Sequence, residues 1–557
     1  MTSPTWSRPG RPPAIRAALL PAALLALLLA LLVGVAPSPA PAARAAAAPA
    51  PASAPARPNI VLLMVDDMRA DDLRFMPRTR RLIGGEGVTF SRSFSPNPLC
   101  CPARASALTG RYTHNHRVFH VYAPWGFRSF DDRSTVATWL QHAGYATIHL
   151  GKYLNGYGFM REPGATSGSS VHYVPPGWTQ WRASLDGGLP PGHPARGSTY
   201  EFFDTTLSRN GEGFQPLEGQ YQTRAYGRIA REIVTRRAAG ARPFYLQVAF
   251  TAPHNGGPIE PDDPGDVKRS DGKLEHFGTT ARPDDVKGRF DRTLTAAPGA
   301  SWHDPDFSDK PAYLAVRPPL NDAERAAMLE ETRQRAEALW VVDQQVERTI
   351  ETLRATGELD RTLVVFTSDN GFYLGEQRFR HGKVFPHEPS IRVPLLMRGP
   401  GIPAGAIRRD PVMSMDLAPT FAAAAGVVPP ATVDGQSVLS VARNGDVGWQ
   451  RGVLTESRPE GSIVRDTDEA GRPLGGGGTA DIRYAIGVRT AHFLYVDLAT
   501  GEEELYDLRT DPEQYVNLAG RPEYAATQAL LREVLSRLRA CDGAECRQPL
   551  PPELAGG

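Results

Sequence analysis

An excess of charge of either sign is missing from this chain. Its 62 Lys and Arg residues face 61 Asp and Glu, leaving a formal net charge of +1. That balance argues against a high-field surface built for nucleic acid or another polyanion, and leaves room for a local basic pocket. Long apolar runs are equally scarce. One extends from Ala17 to about Val35, broken by Pro21 and Gly34, and no second stretch of that kind follows. A bundle of membrane-spanning helices is therefore excluded. Cysteine is the third shortage: Cys100, Cys101, Cys541 and Cys546 are the only four in 557 residues.

What is present begins with an export pattern. Arg8, Arg11 and Arg16 precede the apolar run, and small residues follow it, with Ala40-Pro41-Ala42 and Ala43-Arg44-Ala45 as cleavage candidates. Basic, apolar and small-residue regions in that order read as a secretory signal peptide. The run approaches the ~20 residues that span a bilayer, so an uncleaved anchor is the competing reading. The small-residue sites favour cleavage, secretion and no stable membrane association afterwards. The chain divides into a signal peptide (1–45), an Ala/Pro linker (46–57), a main domain (58–430), a C-terminal subdomain (431–548) and a tail (549–557). In an exported chain, the close pair Cys541 and Cys546 suggests a small-loop disulfide.

Four apolar runs carry polar groups at their C-terminal ends. Asn59 to Val65 ends in Asp66-Asp67, Ala146 to Leu150 in Gly151-Lys152, Phe244 to Phe250 in Thr251-Ala252-Pro253-His254, and Thr362 to Phe366 in Ser368-Asp369-Asn370-Gly371. Continuous apolar runs are the mark of parallel strands buried on both faces. Open α/β sheets bind ligands along the edge where such strands end. The clearest intervening helix covers about Asp322 to Ala355, with Asn321 as N-cap and Leu339, Val342, Val346, Ile350 and Leu353 as a core-facing stripe. The expected fold is α/β: a large, mostly parallel, doubly wound sheet flanked by helices, then a smaller C-terminal antiparallel sheet with a closing helix at about Pro522 to Ala540.

The chemistry centres on Asn97-Pro98-Leu99-Cys100-Cys101-Pro102-Ala103-Arg104, which runs on to Leu108-Thr109-Gly110-Arg111. Proline suits a first helical turn, so a helix is expected from Pro102, with Cys100 just ahead of its N-terminus. Free N–H groups and the positive dipole end favour an anion there, and Arg104 can point at the same spot. Asp66, Asp67, Asp369 and Asn370 are hard oxygen ligands of the kind calcium or magnesium takes. Carboxylates this close repel unless a cation neutralises them.

Cys-x-Pro-x-Arg followed by Leu-Thr-Gly resembles the signature of the type I sulfatases, within the alkaline-phosphatase superfamily. The double cysteine and Tyr112-Thr113-His114-Asn115-His116 are similar to the branch acting on the 6-sulfate of N-acetylglucosamine. The resemblance implies that a modifying enzyme oxidises Cys100 to formylglycine, whose gem-diol attacks sulfur, with Arg104 steadying it. It further implies calcium on Asp66, Asp67, Asp369, Asn370 and the oxygen of residue 100, magnesium or manganese remaining open. Lys152 and Lys383 would take sulfate oxygens, His254 would stand near the ester oxygen, and His381 is a further substrate-binding candidate. The implied substrate is a sulfated carbohydrate or a small sulfate ester. Ala103 stands where that branch often has serine.

One departure matters. Many sulfatases carry a histidine two residues after the first lysine, whereas here Lys152 leads into Tyr153-Leu154-Asn155. The proton carrier for breakdown of the sulfated intermediate is thus left to His254, His381 or His116, an imidazole being suited to proton transfer near neutral pH. The long loops from Leu154 to Arg224 and Asn255 to Pro319 hold Tyr157, His172, Trp178, Trp181 and Tyr200, which either line a sugar cleft or anchor the loops internally. Two other readings stay open: a phosphonate monoester or phosphodiester hydrolase, and an unmodified protein that binds sulfated glycans without cleaving them.

Overall fold

The computed structural model describes residues 57–301, 306–458 and 484–556. The signal-peptide and linker readings, up to residue 56, and the Gly475–Gly478 loop lie outside the described residues.

Eight strands form the main sheet: β1 (Asn59–Val65), β2 (Val88–Phe90), β3 (Ala146–Gly151), β4 (Gln180–Ala183), β5 (Phe244–Ala249), β6 (Thr362–Ser368), β7 (Leu395–Arg398) and β8 (Ala406–Arg408). Their spatial order is β8-β2-β7-β6-β1-β5-β3-β4. Only β7 runs antiparallel to its neighbours, β6 and β2. The expected mostly parallel α/β sheet is what forms. All seven residues of β1 are buried, because both faces are covered. Ile60, Leu62 and Met64 enter one apolar core, and Val61, Leu63 and Val65 the opposite one. Side chains alternate across a strand, so a run apolar at every position serves two cores.

The flanking helices used below are α1 (Cys100–Thr109), α2 (Gln222–Ala238) and α3 (Asp322–Ala355). Asn321 caps α3 by accepting from the Glu324 amide, and Glu324 reaches back to the Asn321 amide, a capping box that fixes the start. Leu339, Val342, Val346, Ile350 and Leu353 are all fully buried, as their spacing requires. Tyr157, Trp178 and Trp181 belong to the core, so for these three rings the internal-anchor reading holds.

At the C-terminal end, β9 (Val453–Ser457), β10 (Ala485–Arg489), β11 (Phe493–Leu498) and β12 (Glu503–Asp507) make a four-stranded antiparallel sheet. The closing helix, α4, spans Ala525–Leu538, shorter at both ends than the expected Pro522 to Ala540, and a short 3-10 turn at Pro522–Tyr524 precedes it. Leu531, Val534, Leu535 and Leu538 pack beneath the sheet. Cys541 and Cys546 form the disulfide inferred from their spacing.

Two buried histidines make this fold acid-sensitive. His116 is held by Ser106 Oγ (2.9 Å), and His149 is enclosed by Trp178, Trp181 and Tyr153. Burial lowers each imidazole from its usual 6.5 to about 3. Between those values the unfolded chain binds protons that the folded chain refuses, so stability falls as pH drops through that window. Urea denaturation at pH 7 and pH 5 is expected to show the loss, and His149→Leu is expected to make it smaller. An identical loss in wild type and variant removes His149 from the account.

Candidate active site

Register decides where the polar groups meet. In the parallel ladders Val65 stands opposite Ser368, Met64 opposite Ala249, and Gly151 opposite Ala249. The four strands therefore end level, and the residues that follow each one emerge along a single edge. Asp66-Asp67, Asp369-Asn370, Lys152 and His254 are drawn together from positions some three hundred residues apart in sequence.

Helix α1 approaches this edge with its N-terminus. It starts at Cys100, two residues before the Pro102 start expected from sequence: the Ala103 amide already donates to Leu99 (3.0 Å). Pro102 thus occupies the first turn, where a missing N–H costs nothing. Gly110 ends the helix in the left-handed region (φ 71°), and a Cβ there would lie 2.8 Å from Val433 Cγ1. All ten residues of α1 are buried, which fixes Cys100 against the sheet edge.

The site is a closed lattice of charge. Arg104 donates from Nε to Asp369 Oδ2 (2.7 Å), lies 3.6 Å from Asp66 Oδ2, and donates to the Lys152 carbonyl (2.9 Å). Lys152 pairs with Asp66, and Lys383 pairs with Asp67. Lys383 Nζ also lies 2.8 Å from Cys100 Sγ, which is 3.9 Å from Asp67 Oδ1. Asn370 donates to Asp67 Oδ1 (2.7 Å), and Asp369 Oδ1 accepts from the Asp67 amide (3.1 Å). Asp67 itself has φ 64°, a strained backbone for a non-glycine residue. Contacts to its amide, side chain and carbonyl hold it there.

Burial would push the Asp66 carboxyl up, but Lys152, His254 and Arg104 together hold it far below its ordinary value. Asp67 is likewise lowered against burial, by Lys383 and His254. Burial and Asp66 push the Cys100 thiol far up, beyond what the two lysines offset. Burial thus favours the thiol over the thiolate, which is the stronger nucleophile.

His254 stands at the mouth. Its Nδ1 meets the Asn255 carbonyl (2.7 Å), which makes Nδ1 the protonated nitrogen of the neutral ring. Its Nε2 then faces the site, 3.6 Å from Asp67 Oδ2. Burial keeps this imidazole below its ordinary pKa despite the two acids. The Tyr200 ring packs on His254 (4.9 Å between centroids) and under Lys152 Nζ (5.0 Å). The other two histidines are engaged elsewhere: His116 with Ser106, His381 with Glu331 (3.3 Å) and Glu275 (4.0 Å).

Residues of the centre that motif reading missed come from helix α3 and a strand end. Arg335 donates to the Asp67 and Pro253 carbonyls, and Ser368 Oγ accepts from the Met68 amide (2.9 Å). Arg335 is one arginine in a polar helix face, and nothing local marks it.

Asp66, Asp67, Cys100 and His254 offer ligand atoms all within 4.8 Å of one another. Asp66 Oδ1 and Asn370 Oδ1 are buried oxygens without a hydrogen-bond partner. Orphaned acceptors beside acids are what a hard cation satisfies, so the donor set fits a divalent metal. The Sulfatase family matches residues 58–427. The chain belongs to the sulfatase family.

The chain is 34% identical over 416 residues to an extracellular sulfatase SULF-1 homolog of Drosophila melanogaster, a match covering 72% of this chain and 33% of that relative. It is 30% identical to a putative extracellular sulfatase Sulf-1 homolog of Caenorhabditis elegans, and spans about half of that protein's length (49%). The N-acetylglucosamine-6-sulfatase of Homo sapiens is 29% identical, with 88% of this chain and 86% of that one covered. Among solved structures, a complex with its substrate D-glucosamine-2-N,6-O-disulfate aligns at TM-score 0.64 and 22% identity, covering 88% of this chain and 98% of that one. The phosphonate monoester hydrolase of Agrobacterium radiobacter aligns at TM-score 0.59 and 21% identity, covering 87% and 95%.

Arg104 is the buried hub of this centre. Arg104→Ala leaves Asp369 and Asp66 buried without it, and is expected to cost about 3–5 kcal/mol of unfolding free energy. Chemical denaturation checks this, and a loss under about 1 kcal/mol contradicts a buried, paired role.

Proposed function

We propose that this chain is an exported sulfuric ester hydrolase for sugar O-sulfates of the N-acetylglucosamine-6-sulfate type, working through formylglycine made from Cys100. The observation that carries the reading is Cys100 Sγ at an α-helix N-terminus, 2.8 Å from Lys383 and between acids that fit a cation. The export reading is supported by the N-terminal signal pattern and by extracellular relatives. No helix among the described residues is long and apolar enough to cross a membrane.

In the proposed mechanism, Asp66, Asp67, Asp369 and Asn370, with the residue-100 oxygen, would hold calcium. Such a cation would neutralise the acids and act as a Lewis acid toward sulfate, and formylglycine would supply a nucleophilic hydroxyl that the thiol cannot. Lys152 and Lys383 remain cationic, since Asp66 and Asp67 outweigh the effect of burial, and both can accept the anionic sulfate. Arg104 fixes Asp66 and Asp369. His254 presents the unprotonated Nε2 of its Asn255-set tautomer to the site, so it can take up the proton of the attacking hydroxyl and release it to the departing alcohol oxygen. Phosphonate monoester hydrolases share the fold, so the alternative chemistry is phosphorus ester cleavage.

Mass spectrometry of the tryptic peptide Ser93–Arg104, from protein secreted by its own host, is expected to show loss of the thiol and gain of an aldehyde at Cys100. Turnover of N-acetylglucosamine-6-sulfate is expected to vanish in Cys100→Ala, and to exceed turnover of a phosphonate monoester under matched calcium. An intact thiol, with binding of the sulfated sugar and no sulfate release, supports the glycan-binding reading. For His254→Ala, kcat is expected to fall about a hundredfold; full turnover passes the proton role to another group.

A further inference from the structure

Away from that centre, a cavity of about 600 Å³ opens between the sheet edge and the C-terminal sheet, and none of Asp66, Asp67, Cys100, Lys152, His254 or Lys383 lines it. One wall carries Arg92, Arg392 and Arg489. Glu388 pairs with two of them, 2.8 Å from Arg489 and 3.8 Å from Arg392. Burial and the like charges of Arg489 and Arg392 hold the Arg92 guanidinium below its ordinary pKa, a sign of local positive potential. The arginines are not loose surface chains. Arg489 stacks 4.8 Å from the Trp449 ring centroid and 5.4 Å from Phe94, and Arg92 stacks 5.2 Å from Trp449 on the same ring system.

The facing wall is different. It holds Asp71 and Glu376, both ion-paired to Arg69 at 2.9 Å, together with Glu513. Oriented guanidinium forks match sulfate or carboxylate groups, and carboxylate oxygens accept hydrogen bonds from hydroxyls. A molecule with an anionic group at one end and hydroxyls at the other satisfies both walls.

We infer that this cavity is a second binding site for an anionic saccharide, its sulfate or carboxylate on Arg92, Arg392 and Arg489 and its hydroxyls toward Asp71 and Glu376. The Pro389 carbonyl on its floor accepts from the Phe372 amide (2.8 Å), two residues beyond Asn370. The lining is thereby joined by the backbone to the loop that carries Asp369 and Asn370. A saccharide chain held here would keep the enzyme on a sulfated polymer between turnovers.

Calorimetric titration of the full chain, in a Cys100→Ala background that prevents turnover, uses a trisulfated heparin disaccharide as probe. Two sites per chain are expected. Arg92→Ala/Arg392→Ala is expected to remove one, or to weaken it at least about tenfold, because charge-assisted hydrogen bonds are lost. The control pair Arg228→Ala/Arg236→Ala, on α2, is expected to keep both. One site per chain, unchanged in Arg92→Ala/Arg392→Ala, overturns this inference and leaves the proposed function standing. One site that the same variant abolishes supports the inference and counts against sulfated-sugar binding at the catalytic centre.

Discussion

Buried charge is the constraint on which the rest of this structure depends. Asp66, Asp67 and Asp369 lie beneath the surface at one sheet edge, and such a group of carboxylates is untenable without cations. Arg104, Lys152 and Lys383 supply them from three different segments. Each side chain reaches its partner only if α1, β3 and the loop after β6 are all in place. The site therefore exists only where these segments meet, and a broken pair in it is costly.

The same lattice sets the chemistry. With Asp66 and Asp67 held ionised, the lysines keep their charge and remain available to an anion. The same environment disfavours a thiolate at Cys100, where burial and Asp66 favour the protonated form. Within the proposed mechanism, oxidation of that side chain answers the conflict, since a hydroxyl on a hydrated aldehyde needs no buried negative charge before it meets substrate.

The C-terminal sheet contributes by bracing. Glu456 on β9 holds His114, and the carbonyl of Cys541, one half of the disulfide, accepts from His114 and Asn115. The Tyr112–His116 segment follows α1 directly, so these contacts fix the exit of the helix that presents Cys100. His116 and His381, both candidates for proton transfer on sequence grounds, are spent on Ser106 and Glu331. That leaves His254 as the imidazole facing the acids.

The sequence by itself determined the strands and their polar ends, because a run apolar at every position is stable only between two cores and its first polar residues must emerge at the edge. It also determined the capped helix α3, the small-loop disulfide and the motif around Cys100, all of which are local patterns. Only the tertiary structure decided that α1 begins at Cys100, that Arg335 clamps the Asp67 backbone, and that Tyr157, Trp178 and Trp181 serve the core. It alone set the level at which the strands end, and with it the lysine that each acid receives. The physical reason is range. Periodicity and capping act within a few residues, whereas register, burial and ion pairing are settled between segments that meet only when the whole sheet has formed.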